Sequence, residues 1–243
     1  DPAFWQAFCN TLILSLLNLL INFPIPILFA ILLNEVQAVR FKKLVQTVSY
    51  MPRFISTVVV IAILSEMLSP SSGLINTFLQ RQFGMSPIYF MNEPQYFRTL
   101  YVLTDTWQYT GWTAIIYLAA ITGISSDMFE AATIDGATRF QQIIYITLPS
   151  ISPTTFFLLM AGLISGLQQF DIPQVVSSVL GNSWTGAAGP DNAGLTTVVY
   201  IYNTGIMFNK MPTAAVMSFF LFFIIMGVTI LNFRASRKWA NND

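Results

Sequence analysis

CNTLILSLLNLLINFPIPILFAILL, residues 9–33, decides the fold class. No charged residue stands between Asp1 and Glu35. A helix rises about 1.5 Å per residue, so roughly 20 apolar residues cross the hydrocarbon layer of a bilayer, and this run exceeds that length. A barrel strand would need short segments alternating between apolar and polar residues, and no such alternation recurs here. Working outward, four more runs of spanning length follow: Val45 to Leu68, interrupted by Pro52 and Arg53; Leu100 to Gly123, with Asp105 near its start; Ser150 to Phe170; and Pro212 to Phe233. No repeat of 20–50 residues is visible.

Composition agrees. Of the 243 residues, 54% are hydrophobic and 9% charged, against about 25% charge in an ordinary soluble domain. So few charges cannot clothe a soluble globule of this size. The expectation is an all-α, polytopic transmembrane helical bundle forming a single domain over residues 1–243, with five spans. The 11 basic and 11 acidic residues cancel, which removes a general case for nucleic-acid binding. The chain has no His and one Cys, Cys9, so Cys/His metal sites, Ser-His-Asp triads and an internal disulfide framework are excluded.

Basic residues in the connections orient the bundle. Arg40, Lys42 and Lys43 separate spans one and two, Arg139 separates three and four, and Arg234, Arg237 and Lys238 follow span five. These share one side, read as cytoplasmic. Arg53, just inside span two, can snorkel toward it. The N-terminus of the chain is then external, so a preceding span is expected, making six in the complete protein. The external connections are punctuated by Ser69-Pro70, Gly73, Ser86-Pro87 and Glu93-Pro94. The segment 181–211 reads as an external loop, rich in Gly and Asn in its first half.

The cytoplasmic connection between spans three and four is DMFEAATIDGATRFQQIIYITLP, residues 127–149. Asp127 and Glu130 have capping-box spacing. Gly136 suits the left-handed position that stops a short helix. A second amphipathic helix is expected from about Ala137 to Thr147, with Phe140, Ile143, Ile144 and Thr147 on one mainly apolar face. Leu148-Pro149 is expected to end it, since the residue before Pro avoids the helical region. The product is a compact knob of helix, glycine turn and helix, kept slim by Ala131, Ala132 and Ala137.

This connection resembles the cytoplasmic "EAA" loop of permease subunits in bacterial type I ABC importers. The matching residues are Glu130-Ala131-Ala132, Asp135-Gly136-Ala137 and Leu148-Pro149; one departure is Ile143, where many relatives have Phe. Gln46 to Val60, with Tyr50-Met51-Pro52-Arg53-Phe54, looks like the carbohydrate-uptake branch, although many of those permeases have His at the Arg53 position. Trp107 to Gly123 and Ala188 to Gly205 look like the same branch. The resemblance implies a multi-pass permease of the bacterial cell membrane, without enzymatic activity of its own. It implies that Glu130, Ala131, Ala132, Asp135, Gly136, Ala137, Leu148 and Pro149 form the coupling element, seated in a groove of an ATPase subunit. It further implies a second permease subunit, expected to be paralogous, two ATPase subunits, and an extracellular or periplasmic solute-binding protein. No cofactor is expected on this chain, ATP and Mg²⁺ being held by the ATPase subunits. The absence of a Gly-x-x-x-x-Gly-Lys-Ser/Thr loop here fits that division.

Polar residues within the spans are candidates for a sugar path. Thr11, Ser15, Asn18 and Asn22 lie on one face of span one, spaced four, three and four apart. They suit either hydrogen bonding between helices or the lining of a path. Pro24 and Pro26 should kink or break that helix. Span three carries Asp105, Trp107, Gln108, Tyr109, Trp112 and Tyr117, residue types that bind sugars but also form interfacial belts. Asp105 reads as a bundle ion pair or loop anchor. Gln168, Gln169, Tyr202 and Asn203 complete the path candidates; Gly162 and Gly166 form a small-xxx-small pair for helix packing. The leading function is import of a carbohydrate, an oligosaccharide in particular, by alternating access. The alternatives are a type I importer of amino acids, peptides or other small solutes, an ion-coupled secondary transporter using Asp105, and a membrane scaffold.

Overall fold

The computed structural model describes residues 2–179 and 188–240, with side chains to Arg234. Among the described residues every regular element is helical. In chain order these are α1 (Pro2–Asn22), α2 (Pro24–Glu35), α3 (Val39–Tyr50), α4 (Thr57–Met67), α5 (Leu74–Phe83), α6 (Pro94–Thr122), α7 (Ser126–Ile134), α8 (Arg139–Gln142), α9 (Leu148–Ser150), α10 (Ser152–Leu167), α11 (Asp171–Val179), α12 (Thr197–Tyr202) and α13 (Met211–Ala240). Three stretches are long and apolar enough to cross a membrane: Pro2–Glu35, Ser152–Val179 and Met211–Arg234. Two broken pairs, α3 with α4 and α6 with α7, bring the number to five if each is one span.

The prolines act as their chemistry requires, and the helix is interrupted at both expected places, to different extents. Pro24 and Pro26 lack the N–H groups that would bond one turn back, yet Phe23 keeps helical angles and bonds Leu19 O at 3.1 Å. Only one residue of helix is lost, and α1 and α2 form one 34-residue stretch. Span two, by contrast, is not continuous. Met51–Phe54 tightens into a 3₁₀ turn around Pro52, and Ser56 is extended before α4 begins. The 11 residues of α4 rise only about 16 Å, roughly half a bilayer core. The external connection also holds a helix that the punctuation did not reveal, α5, closed at its end by left-handed Gly84. Asn76 clasps its start, donating to Leu68 O and Ile88 O and accepting from the Ile88 N–H.

The described chain gathers into two compact units. The first holds the described parts of Asp1–Asn18, Ile55–Asp105 and Leu163–Asp243. Its core packs Leu14 against Ile61, Phe97, Tyr101, Ile172 and Val176. A second cluster joins Ala7, Ala188, Leu195 and Val199. Residues 181–187 of the expected external loop lie outside the described residues, as do the side chains of Arg237 and Lys238. The rest of that segment is not a free loop. Asn10 donates to Asn192 O at 2.9 Å and Leu195 O at 3.3 Å. Thr11 Oγ1 lies 3.0 Å from Thr197 Oγ1 and accepts from the Thr197 N–H. Thr196 caps α12 and donates to Gln169 O. A π turn, Asn203–Met207, then leads toward α13.

The second unit comprises Leu19–Phe54 and Thr106–Gly162. Its core joins Ile27, Ala30 and Ile31 of α2 to Ala114, Tyr117 and Ile121 of α6 and to Ile151. The end of α3 meets α6 at Gly111, where a Cβ would stand 2.0 Å from the Ser49 carbonyl oxygen. Only glycine allows that approach. The small-xxx-small pair divides on the same test: Gly166 lies against Ser15, while nothing approaches the Cβ position of Gly162 within 4 Å.

Candidate functional site

The segment from Ser125 to Ile151 folds as a knob. Its N-terminal cap is not Asp127: Ser125 Oγ accepts from the Asp127 N–H at 3.3 Å, two residues earlier than expected. Asp127 instead places its charge in the first turn of α7, where the helix dipole favours it. Gly136 adopts φ +81°, as anticipated. The Ala137 N–H bonds Ala132 O at 2.8 Å and the Gly136 N–H bonds Thr133 O at 3.1 Å, the paired bonds of a Schellman stop. A capping box does occur, but at the second helix: Thr138 Oγ1 accepts from the Gln141 N–H, and Gln141 Oε1 accepts from the Thr138 N–H at 2.7 Å.

The second helix does not end at Leu148-Pro149. Ile143–Thr147 widens into a π turn, with the Leu148 N–H reaching Ile143 O five residues back, and helix resumes through α9 toward α10. Pro149 explains it: an α turn would drive its ring against the Tyr145 carbonyl, and the wider turn relieves that clash. The π turn also splits the expected apolar face. Ile143 and Thr147 turn inward, while Phe140 is 70% exposed. Ile134, just before the glycine turn, is 86% exposed. Glu130, Ala131, Asp135, Gly136, Leu148 and Pro149 are exposed, and Ala132 and Ala137 half-buried. Of the eight residues expected to form the coupling element, six are thus exposed and two half-buried, and Ile134 and Phe140 stand bare in the same segment.

The path candidates divide between the units. In the first unit, the Asn18 amide donates to Asp105 Oδ2 at 2.9 Å and Tyr101 Oη at 3.3 Å. Asp105 thus anchors an amide. Gln168 is exposed, whereas Gln169 is buried and its Oε1 has no partner among the described residues. The Tyr202 ring meets Phe170 edge-on at 5.2 Å, and Asn203 is buried at the start of its π turn. In the second unit, Asn22 Oδ1 accepts from Thr106. Trp107 is exposed. Arg53 does not extend alone toward solvent: its guanidinium lies 4.5 Å from the centre of the Tyr109 ring, and Phe54 meets Trp112 edge-on. Tyr117 is buried and bonded to Thr155. All four members of the α1 polar stripe make bonds between helices: Thr11 to Thr197, Ser15 to Gly166 O, Asn18 to Asp105 and Asn22 to Thr106. An apolar void of about 10 Å³ lined by Ile61, Tyr101, Thr104 and Ile172 has room for one water, far less than a sugar ring.

A model of the binding-protein-dependent transport system inner membrane component family matches residues 5–240. The chain belongs to that family. Its apolar helices fit the inner-membrane location, and family membership makes it a transport permease component. It is 46% identical over 159 residues to the polygalacturonan/rhamnogalacturonan transport system permease protein YteP of Bacillus subtilis (strain 168), covering 65% of this chain and 49% of that protein. It thus spans about half the length of this relative. It is 29% identical over 236 residues to the arabinooligosaccharides transport system permease protein AraP of the same strain, covering 97% of this chain and 72% of AraP. A chain of a bacterial alginate ABC transporter, solved in complex with alginate pentasaccharide-bound periplasmic protein, superposes with a TM-score of 0.86 at 34% identity, over 99% of this chain and 81% of that one.

Two features of this family member escaped the reading of its sequence. The Thr138 capping box was legible, because Thr138-Arg139-Phe140-Gln141 has the Ser/Thr-x-x-Gln spacing. Gln142 was not: a polar residue beside an apolar stripe reads as solvated, yet here it is buried.

Proposed function

We propose that this chain is a permease subunit of an ATP-driven importer that carries an oligosaccharide inward by alternating access. The likeness to the alginate transporter chain over 99% of this sequence carries that reading, and the names of YteP and AraP support the same substrate class. An external binding protein delivers the sugar to a mouth built by this chain and a second, paralogous permease. Two ATPase subunits hold ATP and Mg²⁺, and this chain hydrolyses nothing. Closure of the ATPase pair pushes on the knob around Gly136, and the helices rooted in the knob reorient together, the logic of alternating access. Path residues Asn18, Asn22, Trp107, Tyr109, Trp112, Gln168, Gln169, Tyr202 and Asn203 serve as the polar and aromatic groups between which sugar and helix contacts exchange.

Reconstitution of the assembled transporter in proteoliposomes, with its ATPase subunits and binding protein, tests this. ATP-dependent uptake of labelled oligogalacturonides, alginate oligomers or arabino-oligosaccharides is expected. Uptake driven by a proton or sodium gradient without ATPase subunits, or uptake confined to amino acids or peptides, would overturn it.

A further inference from the structure

The knob's two arms meet at a glycine turn with few apolar contacts between them. Helix α7 has no buried residue, and α8 has one, Gln142, at 5% exposed. Both ends of its amide are bonded. Nε2 donates to Thr133 Oγ1 of α7 at 2.9 Å, and Oε1 accepts from Arg139 Nη1 at 2.9 Å. Thr133 Oγ1 spends its own hydrogen on Phe129 O at 2.7 Å, so it can only accept from Gln142. Arg139 Nε in turn donates to Glu35 Oε2, the last residue of α2, at 2.8 Å. The donors are ordered throughout: Arg139 serves both Glu35 and Gln142, Gln142 serves Thr133, and Thr133 serves Phe129.

We propose that Gln142 is a positioning residue which, through Arg139 and Glu35, roots the knob in the end of the first span. This rests on the reading that the knob is the coupling element. The knob continues through the π turn and α9 toward α10, so covalent helix already links it to the span that follows. The side-chain relay adds a second root in α2, and by tying Thr133 to Gln142 it fixes the angle between the arms that Gly136 alone leaves free. The Arg139–Glu35 pair is solvent-exposed, at 59% and 35%, and by itself contributes little stability. The buried amide carries the constraint, since Gln142 is the one buried side chain of the two arms and bonds to both. A push on α7 is thereby delivered to two spans together instead of being absorbed at the glycine.

The test uses the full transporter in nanodiscs, with Cys9→Ser and spin labels at Gln37→Cys and Met128→Cys. These sit just past α2 and on the exposed side of α7. With Gln142 intact, the label-to-label distance distribution should be narrow and should stay so when ATP and vanadate close the ATPase subunits. Gln142→Leu should widen it by about twofold and lower sugar imported per ATP hydrolysed by about fivefold, a typical coupling effect. Gln142→Glu keeps the acceptor for Arg139 but has no donor for Thr133 Oγ1, whose own hydrogen is held by Phe129 O, and should widen the distribution as Leu does. A Leu variant with an unchanged distribution, or one that loses assembled complex while the yield per ATP stays normal, overturns the proposal. The underlying coupling reading is scored separately: a paramagnetic reagent in water should reach the Met128 label less readily when ATPase subunits are bound. Equal access with and without them sinks that reading but leaves the distance test of the brace standing.

Discussion

Residues 188–207 and 125–151 both connect long apolar helices, and they end up as opposites. In the first, Ala188, Thr196, Thr197 and Val199 are completely buried, and the backbone is held by Asn10 and Thr11. In the second, the two arms share one buried side chain, and large apolar groups face outward. A segment whose polar groups are satisfied by its own chain has its conformation decided before any partner arrives. A segment that leaves Ile134 and Phe140 bare, while the starts of its two arms are capped, offers an ordered apolar surface to a partner. On the proposed reading the first is architecture and the second a docking element.

Four substitutions test that contrast, beginning with the largest effect. Gly136→Val should abolish coupled transport, with uptake falling at least about tenfold. A left-handed angle costs an ordinary residue roughly 1–2 kcal/mol, and more when β-branched, although no atom obstructs the new Cβ. Uptake assays in proteoliposomes check this, and normal uptake with this variant would remove the turn from the mechanism. Ile134→Asp should reduce co-purification of ATPase subunits about tenfold without changing the thermal stability of the isolated permease, because docking energy concentrates in buried apolar anchors.

Asn10→Leu should do the reverse. It leaves the Asn192 and Leu195 carbonyls without their donor, costing about 2 kcal/mol. The thermal midpoint of the detergent-solubilised protein should fall, while ATPase binding by the surviving fraction holds. Loss of ATPase binding in this variant would erase the distinction between the two connections. The smallest effect is expected from Thr138→Ala, which removes one capping box at about 1 kcal/mol. A slight drop in thermal midpoint with transport nearly intact is the expected outcome.

Much of this was legible from residues alone. Long uncharged runs placed the spans, because hydrocarbon admits little else. Gly136 announced its left-handed turn, since few other residues occupy that conformation readily. The Thr11-Ser15-Asn18-Asn22 stripe was legible as a face, though whether it lined a path or joined helices depended on partners more than 80 residues away. Local rules failed where two competed. Pro149 was read as a terminator, but a π turn accommodated it. Asp127 had capping-box spacing, but Ser125 stood two residues upstream and captured the cap. The break of span two at Pro52 was visible as an interruption, whereas its cost in helix length followed from Ser56 becoming extended. Gln142 and the Ser49–Gly111 contact were invisible, because each is defined by a residue distant in sequence.

The account depends most on what covers the knob. With Cys9→Ser and Ile134→Cys, a thiol-reactive cross-linker applied to the assembled transporter measures it directly. The account predicts a product joining this chain to an ATPase subunit, together with slow modification of the thiol by water-soluble maleimide until the ATPase is stripped away. Rapid modification at the same rate before and after stripping, with no cross-linked product, would contradict it.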